Sequence, residues 1–289
     1  MAGLVPAIHV FGRPINKSKT WMPATGAGMT YPSELATLVP DKPLEKLIVT
    51  TAPSADVVKS LAPTGTLRAA LNIANPVLVQ RNPVTGAPSG VTVDLAQELA
   101  KRLGVPLQQV VIDGAGKSFD AVKSATCDVG FLAVEPARAA EVDFTAPYVI
   151  IEGVYAVRAD GPIKGNDDVD RAGVRIAVNK GAAYDLFLTR SLKNATLVRA
   201  EESFDLFLRE GLEAVAGVKQ GVVRFVEASP VARMLPGRFM EIQQAMCQPK
   251  GRDAGARYLR SFVEEMKASG FVAEAIKRAG QEATVAPPA

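Results

Sequence analysis

The stretch "PYVIIEGVYAV", residues 147–157, constrains the fold more than any other, because within it only Glu152 is charged. Its β-branched and aromatic residues read as extended chain. Strands usually run about 5–6 residues, so an extended run of about twice that length can leave one sheet and enter another. Regular patterns flank it on both sides. Upstream, "TLRAALN" reads as a strand, "TVDLAQELAKRLG" as a helix, "LQQVVI" as a strand, "KSFDAVKSA" as a short helix and "DVGFLAV" as a buried strand. In the first of these helices Leu95, Leu99 and Leu103 recur at i, i+4 and i+8, and Gly104 follows in the position that ends a helix. Downstream, "VRIAVN", "ATLVRA" and "EAVAGV" read as strands alternating with the helices "AAYDLFLTRSL", "SFDLFLREGL" and "KQGVVRFVEA". Such alternation predicts mostly parallel sheets with helices on both faces. "RFMEIQQAM" is a second extended run, and an amphipathic helix follows it with Tyr258, Leu259, Phe262, Val263 and Met266 on one face. Two α/β lobes joined by two extended crossings account for this order.

Several function classes are excluded. The only histidine, His9, lies in an N-terminal stretch with little regular periodicity, so the folded body carries neither a Ser-His-Asp triad nor a histidine-rich metal site. Net charge is +3 from 33 basic and 30 acidic residues without like-charge runs, which gives no nucleic-acid footprint. Cys127 and Cys247 stand in no metal-ligand spacing and read as buried thiols, a disulfide being the alternative. "DGAGKSF" contains Gly-Lys-Ser, but Val111 stands where a phosphate-binding loop needs its first glycine. No run of 18 apolar residues spans a membrane. The leader lacks the basic start, apolar core and cleavage site of a secretory signal. No cofactor or metal is expected.

"FLAVEPARAAEVDFTAPY", residues 131–148, is an apolar strand ending in a charged elbow. By itself Arg138 reads either as a solvated helix residue or as an anion anchor at the mouth of a sheet. Glu135, Glu141 and Asp143 read as solvated charges.

The consecutive segments "GTLRAALN", "GVTVDLAQELAKRLGV", "SFDAVKSATCDVGF" and "PARAAEVDFTAPY" resemble the ordered signatures of family 3 extracellular solute-binding proteins, and the resemblance runs over about residues 64–280. It implies the two-lobe clamp of the type II periplasmic-binding-protein fold and the role of receptor for an amino-acid-type ABC importer. Lobe 1 would comprise residues 64–154 and 240–280, lobe 2 residues 155–239. Residues 1–63 would be a largely irregular leader and 281–289 a tail. The family's carboxylate-binding arginine matches Arg138, whose planar guanidinium suits a carboxylate. A small-residue turn at a helix N-terminus matches Gly181, Ala182 and Ala183, where N–H groups favour an anion.

Four positions depart from the family pattern. Ala133 and Glu135 stand where hydroxyl donors are usual. Asn75, followed by Pro76, stands where an aromatic usually covers the ligand. Val218 stands where an acid usually neutralises the substrate ammonium, and an unpaired ammonium in a closed cleft is costly. These departures point from α-amino acids toward a small carboxylate with an apolar or aromatic body. The expected partners are such a solute and an ABC permease, with the protein a monomer. Family resemblance implies a periplasmic location, while the leader leaves a cytoplasmic one open. Two alternatives stand beside the importer reading. One is a dehydratase-like enzyme on the same fold, with Glu135 or Glu213 as general acid. The other is a cytosolic ligand sensor.

Overall fold

A computed structural model describes residues 52–289. The leader's His9 and its Gly-rich "GAGMT" lie outside the described residues. The first half of the chain runs α1 (Ala55–Leu61), β1 (Leu67–Asn72), a small hairpin of β2 (Gln80–Arg81) and β3 (Pro88–Ser89), α2 (Val91–Leu103), β4 (Leu107–Ile112), α3 (Ala115–Lys123), β5 (Val129–Ala133), α4 (Pro136–Ala139) and β6 (Val142–Arg158). The second half runs β7 (Arg175–Asn179), α5 (Ala183–Ser191), β8 (Thr196–Ala200), α6 (Ser203–Glu210), β9 (Ala214–Val218), α7 (Lys219–Ala228), β10 (Ala232–Met234), β11 (Met240–Pro249), α8 (Asp253–Ala268), α9 (Phe271–Arg278) and β12 (Thr284–Val285). Helix α2 buries Leu95, Leu99 and Leu103, and it stops at Gly104 with a left-handed φ of 66°.

The main sheet has the order β4-β1-β5-β11-β6-β9-β7-β8. Strand β1 pairs parallel with β4 and β5, and β7 pairs parallel with β8 and β9. The antiparallel strands β6 and β11 lie between these two parallel sets. The long apolar run is the core of β6, which has 17 residues and is shared by both lobes. Strand β11 pairs with it from Val142 to Gly153, and β9 from Gly153 to Val157. Gly153 is where the partners change over, and a Cβ there would lie 2.7 Å from Met240 Cγ. The lobe limit expected at residue 154 thus falls inside β6, and that at 240 falls on the first residue of β11.

Proline lacks the N–H a ladder needs, and Pro147 sits where the β6–β11 register shifts. The Met246 N–H instead donates to the Thr145 hydroxyl at 3.2 Å.

Both ends of the body differ from expectation. Helix α1 falls within the residues read as leader, yet Leu61 is fully buried and the Gly255 N–H donates to Ser60 Oγ at 3.0 Å, tying α1 to α8. Residues 284–285, read as tail, form β12 and pair antiparallel with Val149 and Ile150. That part of the β6 edge is open because β9 pairs only from Gly153 onward, and an open strand edge recruits extended chain. Two residues of strand carry too little periodicity to be read from sequence. Cys127 and Cys247 are free and buried in one apolar cluster, and burial pushes the Cys247 thiol up to about 12.

Candidate functional site

Parallel strands expose unpaired backbone and loop ends at their carboxyl edge, which is where ligands of open α/β sheets bind. Here β1, β4, β5, β7, β8 and β9 all point that edge at one cavity of about 420 Å³. Its walls are the segments at and just beyond those strand ends: residues 73–76, 113–115, 182–184, 201–202 and 217–218, with Phe131, Leu132 and Ala133 of β5. Arg138 enters from the elbow after β5, and Ile242 and Gln244 enter from β11.

The elbow is built by proline. Pro136 occupies the first helical position of α4, where its missing N–H costs nothing. The single turn it starts carries Arg138 back over the end of β5. Arg138 is 3% exposed. Its Nη1 donates to the Ala133 carbonyl at 3.2 Å and its Nη2 to the Gly181 carbonyl at 2.7 Å. Those bonds use two of the five guanidinium N–H groups. Burial is the largest influence on this group and lowers its pKa from the ordinary arginine value, while the charge of Glu135 opposes the shift.

Glu135 does not line the cavity. It is buried, and Arg190 Nη1 of α5 lies 2.6 Å from its Oε2 at an angle that makes an ion pair but no hydrogen bond. Glu213 is also outside the cavity. It accepts Nε and Nη2 of Arg175 at 2.9 and 2.8 Å, as well as the Arg175 backbone N–H. Both carboxyls considered as general acids are therefore held in ion pairs away from the cavity wall.

At the start of α5 the three small residues differ in what they offer. Gly181, with φ +70°, is fully engaged, because its N–H donates to Asp185 Oδ2 at 2.9 Å and its carbonyl takes Arg138. It does not line the cavity. The Ala182 N–H donates to the Asn179 carbonyl at 3.1 Å. Ala183 and Tyr184 occupy the first helical positions, whose N–H groups have no acceptor within a helix, and both line the cavity. Asn75, Ala133, Ala182 and Val218 line it as well. Asn75 is buried and shapes the turn after β1, its Oδ1 accepting the Val77 N–H at 3.3 Å.

Sequence reasoning missed several wall residues. Phe204 packs edge-on to Gly217, where a Cβ would lie 3.2 Å from its Cζ, and it stacks on Phe225 with centroids 4.6 Å apart. Tyr184 is nearly buried, which raises its phenol above the ordinary range. Asp113, Glu201 and Glu202 stand at the wall, and partial burial, followed by Asp113 and its other acidic neighbours, raises the Glu202 carboxyl. Gln244 carried a readable signal, because alternation along the extended run "RFMEIQQAM" puts it on the same face as Ile242.

The lobes meet across the cavity. Besides Arg138 on Gly181 and Arg190 on Glu135, Lys117 Nζ lies 2.8 Å from Glu201 Oε2. A Cβ on Gly181 would lie 3.3 Å from Gly116 Cα, so this closed arrangement depends on glycine there.

Solved structures of similar architecture are binding proteins. A mutant of ArgBP from T. maritima is 25% identical, with 78% of this chain and 100% of that one covered and a TM-score of 0.66. The solute receptor for L-cysteine of Neisseria gonorrhoeae is 22% identical, with 77% and 92% covered and a TM-score of 0.67. The amino acid ABC transporter substrate-binding protein AbpA from Streptococcus pneumoniae, bound to L-arginine, is 20% identical, with 76% and 97% covered and a TM-score of 0.65. Among curated proteins none matches the chain. No helix among the described residues is long and apolar enough to cross a membrane. The model of the bacterial extracellular solute-binding proteins, family 3, matches residues 68–282. With the clamp and its inter-lobe cavity, that match places the chain in family 3 of the bacterial extracellular solute-binding proteins.

Proposed function

We propose that the chain captures a small carboxylate-bearing solute between its lobes and delivers it, chemically unchanged, to an ABC importer. The observation that carries this reading is Arg138, a buried guanidinium on the cavity wall with N–H groups left over after its two carbonyl contacts. Its surroundings support the same sign of ligand. Arg190 and Glu135 pair with one another, leaving Arg138 as the unbalanced charge of this trio, while the rest of the wall carries Lys180 and Arg224 with Asp113, Glu201 and Glu202. Ala183 and Tyr184, whose N–H groups find no acceptor within α5, line the same space at the positive end of the helix dipole. Val218 offers no charge where an ammonium would sit. The extracellular character of the family supports an exported receptor.

Isothermal titration across a panel of carboxylic acids and amino acids tests the reading. A carboxylate should bind, be recovered intact by mass spectrometry, and lose about 2–5 kcal/mol of binding in Arg138→Ala. Because Arg138 also holds two carbonyls, Arg138→Lys serves as a second variant that keeps the charge but loses the planar fork. Unchanged affinity in both variants overturns the assignment. Recovery of the protein from the cytoplasmic fraction alone overturns the importer role.

A further inference from the structure

Gln244 is 5% exposed, lines the cavity, and its side-chain amide makes no hydrogen bond to any described residue. Strand β11 explains how it comes to be there. Gln243 points outward and is exposed, whereas Ile242 and Gln244 point inward. The same strand carries another buried glutamine, Gln248, whose Nε2 donates to the Arg252 carbonyl at 2.8 Å. Gln248 is anchored through Nε2 while its Oε1 is buried without a partner; the Gln244 amide makes no hydrogen bond among the described residues but is not sealed off, so it stays accessible from the cavity. An amide turned into a cavity is hydrogen-bonding capacity left for what enters it, and an inward-facing leucine or methionine would serve if the position worked for packing alone.

Gln244 pairs with Ala133 of β5, and the Ala133 carbonyl is the one that holds Arg138 Nη1. The free amide and the guanidinium therefore belong to the same stretch of cavity floor. Phe131, Phe204, Val218 and Ile242 give the same walls apolar surface, beside the charged residues Asp113, Glu201 and Glu202. An amide both donates and accepts but carries no charge, so it matches a neutral polar group and cannot balance an ammonium.

We infer that Gln244 sets ligand specificity: the solute is a carboxylate whose apolar body also bears a neutral hydrogen-bonding group, a hydroxyl or an oxo group, that engages the Gln244 amide. The inference rests on the carboxylate reading of Arg138 and adds the second recognised group.

The test uses two matched series on the full-length protein. One is 4-methylpentanoate, 2-hydroxy-4-methylpentanoate, 4-methyl-2-oxopentanoate and leucine. The other is 3-phenylpropanoate with its 2-hydroxy and 2-oxo derivatives and phenylalanine. Affinities are measured by titration calorimetry for wild type, Gln244→Leu and Gln244→Met, with thermal melts confirming that the variants fold. In at least one series the hydroxy or oxo acid should bind roughly 3- to 10-fold more tightly than the unsubstituted acid. Both variants should erase that preference, so that the hydroxy and oxo acids no longer bind more tightly than the unsubstituted acid measured on the same variant. If acids bind but wild type shows no preference, or the variants keep it, Gln244 is not the determinant and the carboxylate reading stands. If leucine or phenylalanine binds most tightly, the neutral-group assignment is wrong. If no member of either series binds, the carboxylate reading falls and this inference falls with it.

Discussion

Replacing Arg190 by alanine should weaken ligand binding although Arg190 does not line the cavity. The side chain belongs to α5 in one lobe, and its partner Glu135 belongs to the elbow of the other. The contact joins the two lobes, so opening the clamp would break it. Glu135 has a side-chain exposure of 4% and Arg190 one of 45%. Removing one partner of a fully buried pair costs about 3–5 kcal/mol, and an exposed pair is worth about 0.2–1 kcal/mol. A pair with one buried and one half-exposed member falls between these, at about 1–2 kcal/mol. All of it is charged against the closed form, so the dissociation constant should rise about 5- to 30-fold. Titration calorimetry with any bound carboxylate measures this, and small-angle scattering should show a larger radius of gyration in the variant at equal ligand. Glu135→Gln should restore part of the affinity in the Arg190→Ala background, because it removes the stranded charge. A dissociation constant within twofold of wild type would refute the latch, and a lowered melting temperature with unchanged affinity would reassign the pair to fold stability.

Two further outcomes follow from the same geometry. Gly181→Ala places a methyl group 3.3 Å from Gly116 Cα on a backbone with φ +70°, a left-handed conformation costing about 1–2 kcal/mol, so it should weaken binding in calorimetry. Gly116→Ala meets Gly181 at an ordinary 3.8 Å and should change binding little. Acid should destabilise the protein through Glu213, Glu265 and Glu152, whose carboxyls are lowered below the ordinary value of 4.5, mainly by hydrogen bonds from Arg175, Arg102 and Lys219 respectively. Lowered carboxyls contribute stability that is complete above the unfolded value and lost as pH falls through the folded one. Thermal melts from pH 6 to 3 should show a declining midpoint, with a shallower decline in Glu265→Gln; an identical slope would refute its share.

The fold was legible because its signals are local. The long apolar run announced β6, the leucine spacing with Gly104 announced α2, and Pro136 announced the turn that carries Arg138. What escaped reading depends on partners distant in sequence. Nothing near Glu135 indicates that Arg190 will meet it, and nothing in "GAA" shows that Asp185 and Arg138 will occupy Gly181. Strand β12 exists only because a stretch of β6 edge is left open by β9. Gln244 stands between these cases. Its inward register was visible in the sequence, but its missing partner could be recognised only once the rest of the cavity wall was in place.

The pairing of β11 with β5 through Gln244 and Ala133 has a consequence for the order of events in binding. Arg138, Asn75, Ala133 and Gln244 all belong to the same lobe, Ala133 and Gln244 on paired strands and Arg138 and Asn75 on segments that directly follow strands β5 and β1. Asn75, Ala133 and Gln244 keep their spacing as the clamp moves, whereas Arg138 takes its second carbonyl contact, Gly181, from the other lobe. On the proposed reading, a solute arriving at the open form would meet these contacts in the first encounter, and the residues of α5 and β9 would arrive afterwards. Discrimination between solutes would then belong to the docking step, with the second lobe governing how long an accepted solute is retained.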